Sequence, residues 1–186
     1  MNVQEPVHTG PAPAAPRRPR WRIPVIVAAA LVLVVTIAGL VAYLAGVFDD
    51  DGRFAAEPAA CAAVTPSLQL LGTAYTAQED GNNNCALLLP RDHPSYSATP
   101  VIIVGYAAVV PDRGDAEDAA RDELRRIGPG QQLPGVGDEA YAWGEKNVVF
   151  RVSNLVVGVT VFPLALSTKE QVKAFAADMA GRLHDA

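Results

Sequence analysis

From Ile23 to Phe48 the chain contains no Asp, Glu, Lys, Arg or His. Coiled as a helix at about 1.5 Å per residue, Pro24 to Phe48 would reach roughly 37 Å. The hydrocarbon core of a bilayer asks for only about 20 such residues. A helix half-buried in a globular core carries a polar face, and this run has none. Arg17, Arg18, Arg20 and Arg22 stand before it, and Asp49, Asp50 and Asp51 follow. Arginines on the leading flank hold that side in the cytoplasm. The expectation is a single-pass signal anchor in the cell (plasma) membrane, N-terminus cytoplasmic and C-terminal domain extracytoplasmic. A cleavable signal peptide has an apolar region of only about 7–15 residues ending in a small-residue site. Tyr43–Phe48 offers no Ala-x-Ala, and Cys61 comes too late to be a lipidated cysteine.

This division predicts four segments. Residues 1–22 are a disordered cytoplasmic tail rich in Pro and Arg, because five prolines among alanines and arginines cannot bury apolar surface. Residues 23–48 are the transmembrane signal-anchor helix, with Trp21 in the interface belt. Residues 49–58 are an acidic linker, and residues 59–186 an extracytoplasmic domain of the usual single-domain size. The membrane partitions the charge. The tail carries four Arg and one Glu, whereas residues 49–186 carry 19 acids against 11 bases. So acidic a domain is not built for nucleic acid or for anionic lipid, since both demand a basic surface. Arginine outnumbers lysine 12 to 3 and alanine is abundant, a composition typical of high-GC bacteria.

Only Cys61 and Cys85 are present. An even pair outside the membrane reads as a disulfide. It is not a Cys-x-x-Cys redox motif, and two ligands make no metal site.

Within the domain, Thr65 and Pro66 predict a helix start, with Leu68, Leu70 and Leu71 on its apolar side and Gly72 at its end. Residues 78–84 read as a polar loop. Strands are expected at Cys85–Leu89 and Val101–Val110, the second apolar on both faces as in a central strand. Asp115 caps a second helix to Ile127, buried through Ala116, Ala120, Leu124 and Ile127. A glycine- and proline-rich loop, 128–139, leads into a meander: Ala140–Trp143, a turn at Gly144-Glu145, Asn147–Val152, a turn at Ser153-Asn154, and Leu155–Phe162. Arg151 alternates with apolar neighbours, which predicts a solvated face there. Ser167 to Glu170 reads as a capping box for a last helix, with Val172, Phe175, Ala176, Met179 and Leu183 buried. The fold class predicted is α+β: an antiparallel sheet of about five strands with three helices packed on it, preceded by one transmembrane helix.

No catalytic set emerges. In Asp92-His93-Pro94-Ser95, adjacent acid and base cannot make triad geometry, and no G-x-S-x-G elbow is present. Neighbouring carboxylates such as Asp138-Glu139 do not form an apposed glycosidase pair. Asp112–Asp115 lacks calcium-loop spacing, and Gly135-Val136-Gly137 is too short for a dinucleotide fingerprint. No cofactor or metal is expected.

The chain resembles a family of small actinobacterial extracytoplasmic domains, often lipoproteins and of undefined function. The resemblance rests on Cys61, Cys85, the loop Leu133-Pro134-Gly135-Val136-Gly137-Asp138-Glu139-Ala140-Tyr141, and Phe150–Asn154, and it covers roughly residues 58–186. It implies a PsbP-like α/β sandwich and supplies no catalytic residue. Sensor domains of some receptor kinases in these bacteria are similar in outline.

The function expected is a non-catalytic, membrane-anchored binding or sensor-type domain of the cell envelope, its partner an envelope protein or small ligand. A cell-envelope hydrolase and a structural scaffold or assembly factor are the alternatives. Loops on rigid sheets commonly carry binding, so the candidate contact residues are Gln132, Leu133, Gly135, Gly137, Asp138 and Trp143.

Overall fold

The computed structural model describes residues 22–44, 46–47, 50–112, 114–128 and 130–186. Its contacts divide the chain into two units, 1–45 and 46–186. Of the expected tail only Arg22 is described; residues 1–21, Trp21 among them, and Phe48 and Asp49 lie outside the described residues. In the first unit, helix α1 (Arg22–Leu44) starts one residue before the apolar run and follows it to Leu44. Among the described residues no helix is long and apolar enough to cross a membrane.

The second unit is built on one antiparallel sheet of seven strands, in the order β1-β2-β3-β7-β6-β5-β4. The strands are β1 (Thr76–Glu79), β2 (Cys85–Leu88), β3 (Ile102–Ala108), β4 (Gln131–Gln132), β5 (Glu139–Trp143), β6 (Asn147–Val152) and β7 (Leu155–Val161). The sheet is two strands wider than expected. Both additions, β1 and β4, are polar edge strands. An edge without a buried face writes no hydrophobic alternation into its sequence. What makes β1 is its turn. The Asp80 carboxylate accepts from the backbone N–H groups of Asn82 (2.8 Å) and Asn84 (3.0 Å) and from the Asn84 amide (3.0 Å). These bonds, the Asn84 amide foremost, hold the Asp80 carboxyl below its ordinary range. They close a hairpin that pairs Glu79 with Cys85.

One face of the sheet carries the main core. Ile102, Val104 and Tyr106 of β3, Leu155, Val157 and Val159 of β7, and Phe150 of β6 all belong to it. Helix α3 (Lys169–Asp185) and a 3₁₀ helix (Thr65–Leu71) cover this face. The α3 stripe predicted from spacing is fully buried, with Ala180 added. The 3₁₀ helix ends at Gly72 in the left-handed conformation (φ 72°), as glycine allows. Thr65 does not cap it; its hydroxyl turns back to the Cys61 carbonyl. Cys61 and Cys85 form the expected disulfide, tying this cover to β2.

The cap of α3 lies one residue later than predicted. Thr168 and Gln171 form the capping box. Ser167 is fully buried, and its hydroxyl bonds the Leu71 carbonyl (2.9 Å) and the Tyr75 hydroxyl (3.0 Å). A side chain engaged in the core is not free to cap. The turn after Trp143 is also longer than predicted, three residues with Asn147 pairing Trp143.

The other face is only partly covered, by helix α2 (Ala116–Ile127). Asp115 caps α2 through the N–H groups of Glu117 (2.8 Å) and Asp118 (3.0 Å). Ala120 and Leu124 pack on Val149 and Val156, but Ile127 is 41% exposed rather than buried.

The segment expected as a linker is fastened to the domain. Asn154, fully buried at the β6–β7 turn, accepts from Phe54 N–H (2.8 Å). Its amide donates to the carbonyls of Phe54 (2.8 Å), Val109 (3.1 Å) and Asp51 (3.3 Å). Asp50 bonds the backbone of Gly114 and Ala116. The chain therefore enters the domain as a strap across the Ser153-Asn154 turn.

Candidate functional site

The loop 128–139 is held to the sheet along much of its length. Gln132 is an exposed residue of β4 paired with Tyr141. Leu133 packs against the main core, on the α3 side, while Trp143 packs with the α2 cluster on the opposite face. Gly135 is exposed with a positive φ of 82°. Gly137, at φ 55°, lies so close to β6 that a Cβ there would collide with the Arg151 carbonyl oxygen. These six residues are spread over both faces and one end of the sheet; they do not converge.

Asp138 belongs to a charged network around Arg151. Arg151 is 5% exposed, which corrects the expectation of a solvated face: α2 and the loop close over it. Its Nη1 donates to the Ser153 carbonyl (2.6 Å) and lies 3.5 Å from Asp138 and 3.7 Å from Glu117. Asp138 also accepts from Ser153 N–H (2.7 Å) and meets His184 Nε2 at 2.9 Å. The Ser153 hydroxyl donates to Glu117 (3.0 Å) rather than facing the histidine. Buried charge of this kind must be paired, and here the pairing secures the turn that holds the strap. Alongside, Glu139 accepts the Tyr141 hydroxyl (2.6 Å), and that bond raises the phenol above its usual range. Glu139 also lies near the guanidinium groups of Arg121 and Arg125.

His93 lies in its own turn, where Nδ1 accepts from Ser95 N–H (3.1 Å). Among the described residues no group of three or more His, Cys, Asp or Glu side chains is arranged to hold a metal.

A groove lies on the part of the sheet that α2 leaves open. It encloses about 310 Å³ and is lined by Ile103, Gly105 and Ala107 of β3, Val156, Gly158 and Thr160 of β7, Val149, and at its rims Asn84 and Ile127. The register explains the floor. Gly105 pairs directly with Gly158, and Gly158 with Val149, so two glycines sit side by side in mid-sheet. Ile103 pairs with Thr160 and Ala107 with Val156, forming walls on either side. The groove is mostly apolar; Asn84, Thr160 and Tyr106, which also lines it, are the residues there with polar side-chain groups. Such a composition suits a ligand held by apolar contact and oriented by one or two hydrogen bonds. Its signals in the sequence were glycines interrupting strong strand-formers, Ile-Ile-Val-Gly and Val-Val-Gly-Val, and an isoleucine at the end of the α2 stripe. No family model matches the chain, and no curated protein matches it either.

Proposed function

We propose that the protein is a single-pass envelope protein, N-terminus cytoplasmic, whose extracytoplasmic domain is a non-catalytic binding domain that takes a small apolar ligand on its open sheet face. The observation that carries this reading is the glycine-floored groove beside α2. The anchor rests on the uncharged run from Ile23 to Phe48 and the arginines before it. The disulfide suits an oxidising compartment. The likeness to the actinobacterial extracytoplasmic domains belongs to the same proposal.

Gly158→Phe tests it. No atom lies within 4 Å of a Cβ built at Gly158, so a ring there fills the groove without disturbing the core. Full-length protein is purified from envelope membranes, and its co-purifying small molecules are extracted and compared by mass spectrometry. An apolar species present with the parent and absent with the Gly158→Phe chain supports the reading. Identical extracts from two equally folded proteins refute it. Separately, protease added outside intact spheroplasts must reach the C-terminal domain; protection would refute the orientation.

A further inference from the structure

The domain has three lysines, Lys146, Lys169 and Lys173, and all three line one cleft at the end of the sheet where the β5–β6 turn meets the start of α3. None of them is ion-paired among the described residues, whereas Arg121, Arg125, Arg126, Arg151 and Arg182 each lie against a carboxylate. The excess of acid argues against anionic lipid as a partner of the domain as a whole, but at this one cleft the unpaired positive charge is concentrated. The acids beside it are Glu145, which lines the same cleft, and Glu170 in the first turn of α3.

An exposed apolar segment adjoins the lysines. Phe162, Leu164 and Leu166 are 39%, 57% and 47% exposed, with Pro163 among them. Lys146 joins the two features: it lines a second cleft with Phe162 and Pro163, and its ammonium donates to the Ala165 carbonyl (3.4 Å). Single exposed apolar residues are ordinary. Three within five positions, bordered by every lysine of the chain, make the apolar-plus-basic surface that suits the interface of an anionic bilayer.

This end lies away from the strap. β6 runs from Asn147 here to Val152 beside the strap, about 17 Å at roughly 3.3 Å per residue. Helix α3 runs the same way, from Lys169 to the His184–Asp138 contact.

We propose that Phe162, Leu164 and Leu166, with Lys146, Lys169 and Lys173, form a docking surface for an anionic lipid bilayer. The apolar side chains enter the headgroup layer while the ammonium groups meet lipid phosphates. The inference rests on the anchored reading given above, and the experiment separates the two.

Full-length protein is placed in nanodiscs of neutral phosphatidylcholine, and co-migration with the disc is checked first. A chain that does not enter the disc refutes the anchor, whatever this surface does. Loaded discs are then mixed with vesicles of phosphatidylcholine, or of phosphatidylcholine with phosphatidylglycerol, and capture is measured by flotation. Anionic vesicles are expected to capture the discs and neutral ones not, with capture falling as salt rises. Lysine charge near such a surface has a known worth, so K169Q/K173Q should weaken capture about thirty-fold. Leu164→Asp should weaken it as well, and Glu145→Gln should strengthen it. All these side chains are exposed or half-buried, and circular dichroism checks that the variants fold. Equal capture by both vesicle types, or by neither, overturns the proposal. So does loss of capture in inorganic phosphate at matched ionic strength, which would assign the lysines to a free oxyanion instead. Capture of discs only when an envelope protein is reconstituted in the vesicles would likewise replace a lipid partner by a protein.

Discussion

Asn154→Ala should free the strap without unfolding the domain. The Asn154 side chain makes four hydrogen bonds, two of them to Phe54 at 2.8 Å and the others to Val109 at 3.1 Å and Asp51 at 3.3 Å. A typical hydrogen bond contributes about 1 kcal/mol net, and a partner left buried and unpaired costs rather more. Counting the two short bonds fully and the longer two in part gives a loss of about 3 kcal/mol. Domains of this size are stable by about 5–15 kcal/mol, so the variant should stay folded and unfold earlier in urea. A second readout is local. Arg53 is exposed, but its N–H is held by the Ser153 hydroxyl (3.2 Å) and its neighbour Phe54 is pinned to Asn154. Trypsin must draw an extended segment into its cleft, so cleavage after Arg53 should be slow in the parent and fast in Asn154→Ala. The measurements are a urea titration followed by circular dichroism and a trypsin time course under native conditions, both on the full chain in detergent. An unchanged midpoint together with an unchanged rate of cleavage at Arg53 would refute the strap.

Three further changes probe other parts of the domain. Tyr106 is buried in the main core, its hydroxyl has no hydrogen-bond partner among the described residues, and burial pushes its phenol far up. Tyr106→Phe removes an unsatisfied group and should stabilise by about 1 kcal/mol; a clear loss of stability in thermal melts would show that the hydroxyl is paired. Replacing both Cys61 and Cys85 by Ala opens a loop with a separation of 24 residues, which the chain-entropy relation values at about 3 kcal/mol. A urea midpoint equal to that of the oxidised parent would contradict this. Asp178 accepts from the Ser67 hydroxyl (2.7 Å) and from Arg182 (2.9 Å), and these bonds, Ser67 first, hold its carboxyl below the ordinary 3.8. With the folded-state value depressed, the unfolded chain binds the proton more readily. The contribution is therefore complete above about pH 4 and is lost as pH falls further. Asp178→Asn should flatten the acid limb of the stability profile, and an acid limb identical to the parent's would count against the Ser67–Asp178 bond.

The parts of the fold legible in the sequence were those with a strong period or a local cap. Helix α2 announced itself by Asp115 and its Ala116, Ala120, Leu124 spacing, and α3 by its apolar stripe. The cap of α3 was misplaced because two boxes overlap by one residue. Only the non-local bonds of Ser167 to Leu71 and Tyr75 decide between them. Arg151 misled for a related reason. On β6 a charged residue among valines suggests solvent, but Glu117 and Asp138 arrive from distant segments to neutralise it. The strap was invisible because its partner lies a hundred positions away, and an acidic, glycine-containing stretch looks like a linker until a buried asparagine satisfies its backbone. The candidate loop drew attention through its glycines. One of them, Gly137, serves close backbone approach to β6, so the same signal marked construction.

The glycines of the groove differ from Gly137 in a way that bears on function. Gly128, Gly130 and Gly137 sit where a Cβ would strike neighbouring atoms, so packing accounts for them. Gly158 has open space where its Cβ would be, and the Cβ of Gly105 would meet only the end of the Asn84 side chain. Both lie in mid-strand, outside the left-handed region, where a β-branched residue would strengthen the sheet by something on the order of 1 kcal/mol. Backbone conformation demands glycine at neither position, and packing does not demand it at Gly158. On the proposed reading, a ligand lying across the strands would need the floor low, with Ile103, Thr160, Ala107 and Val156 as walls. On that reasoning the groove is a place where stability yields to the approach of another molecule. Gly158→Val should therefore raise the melting temperature while abolishing whatever the open face retains.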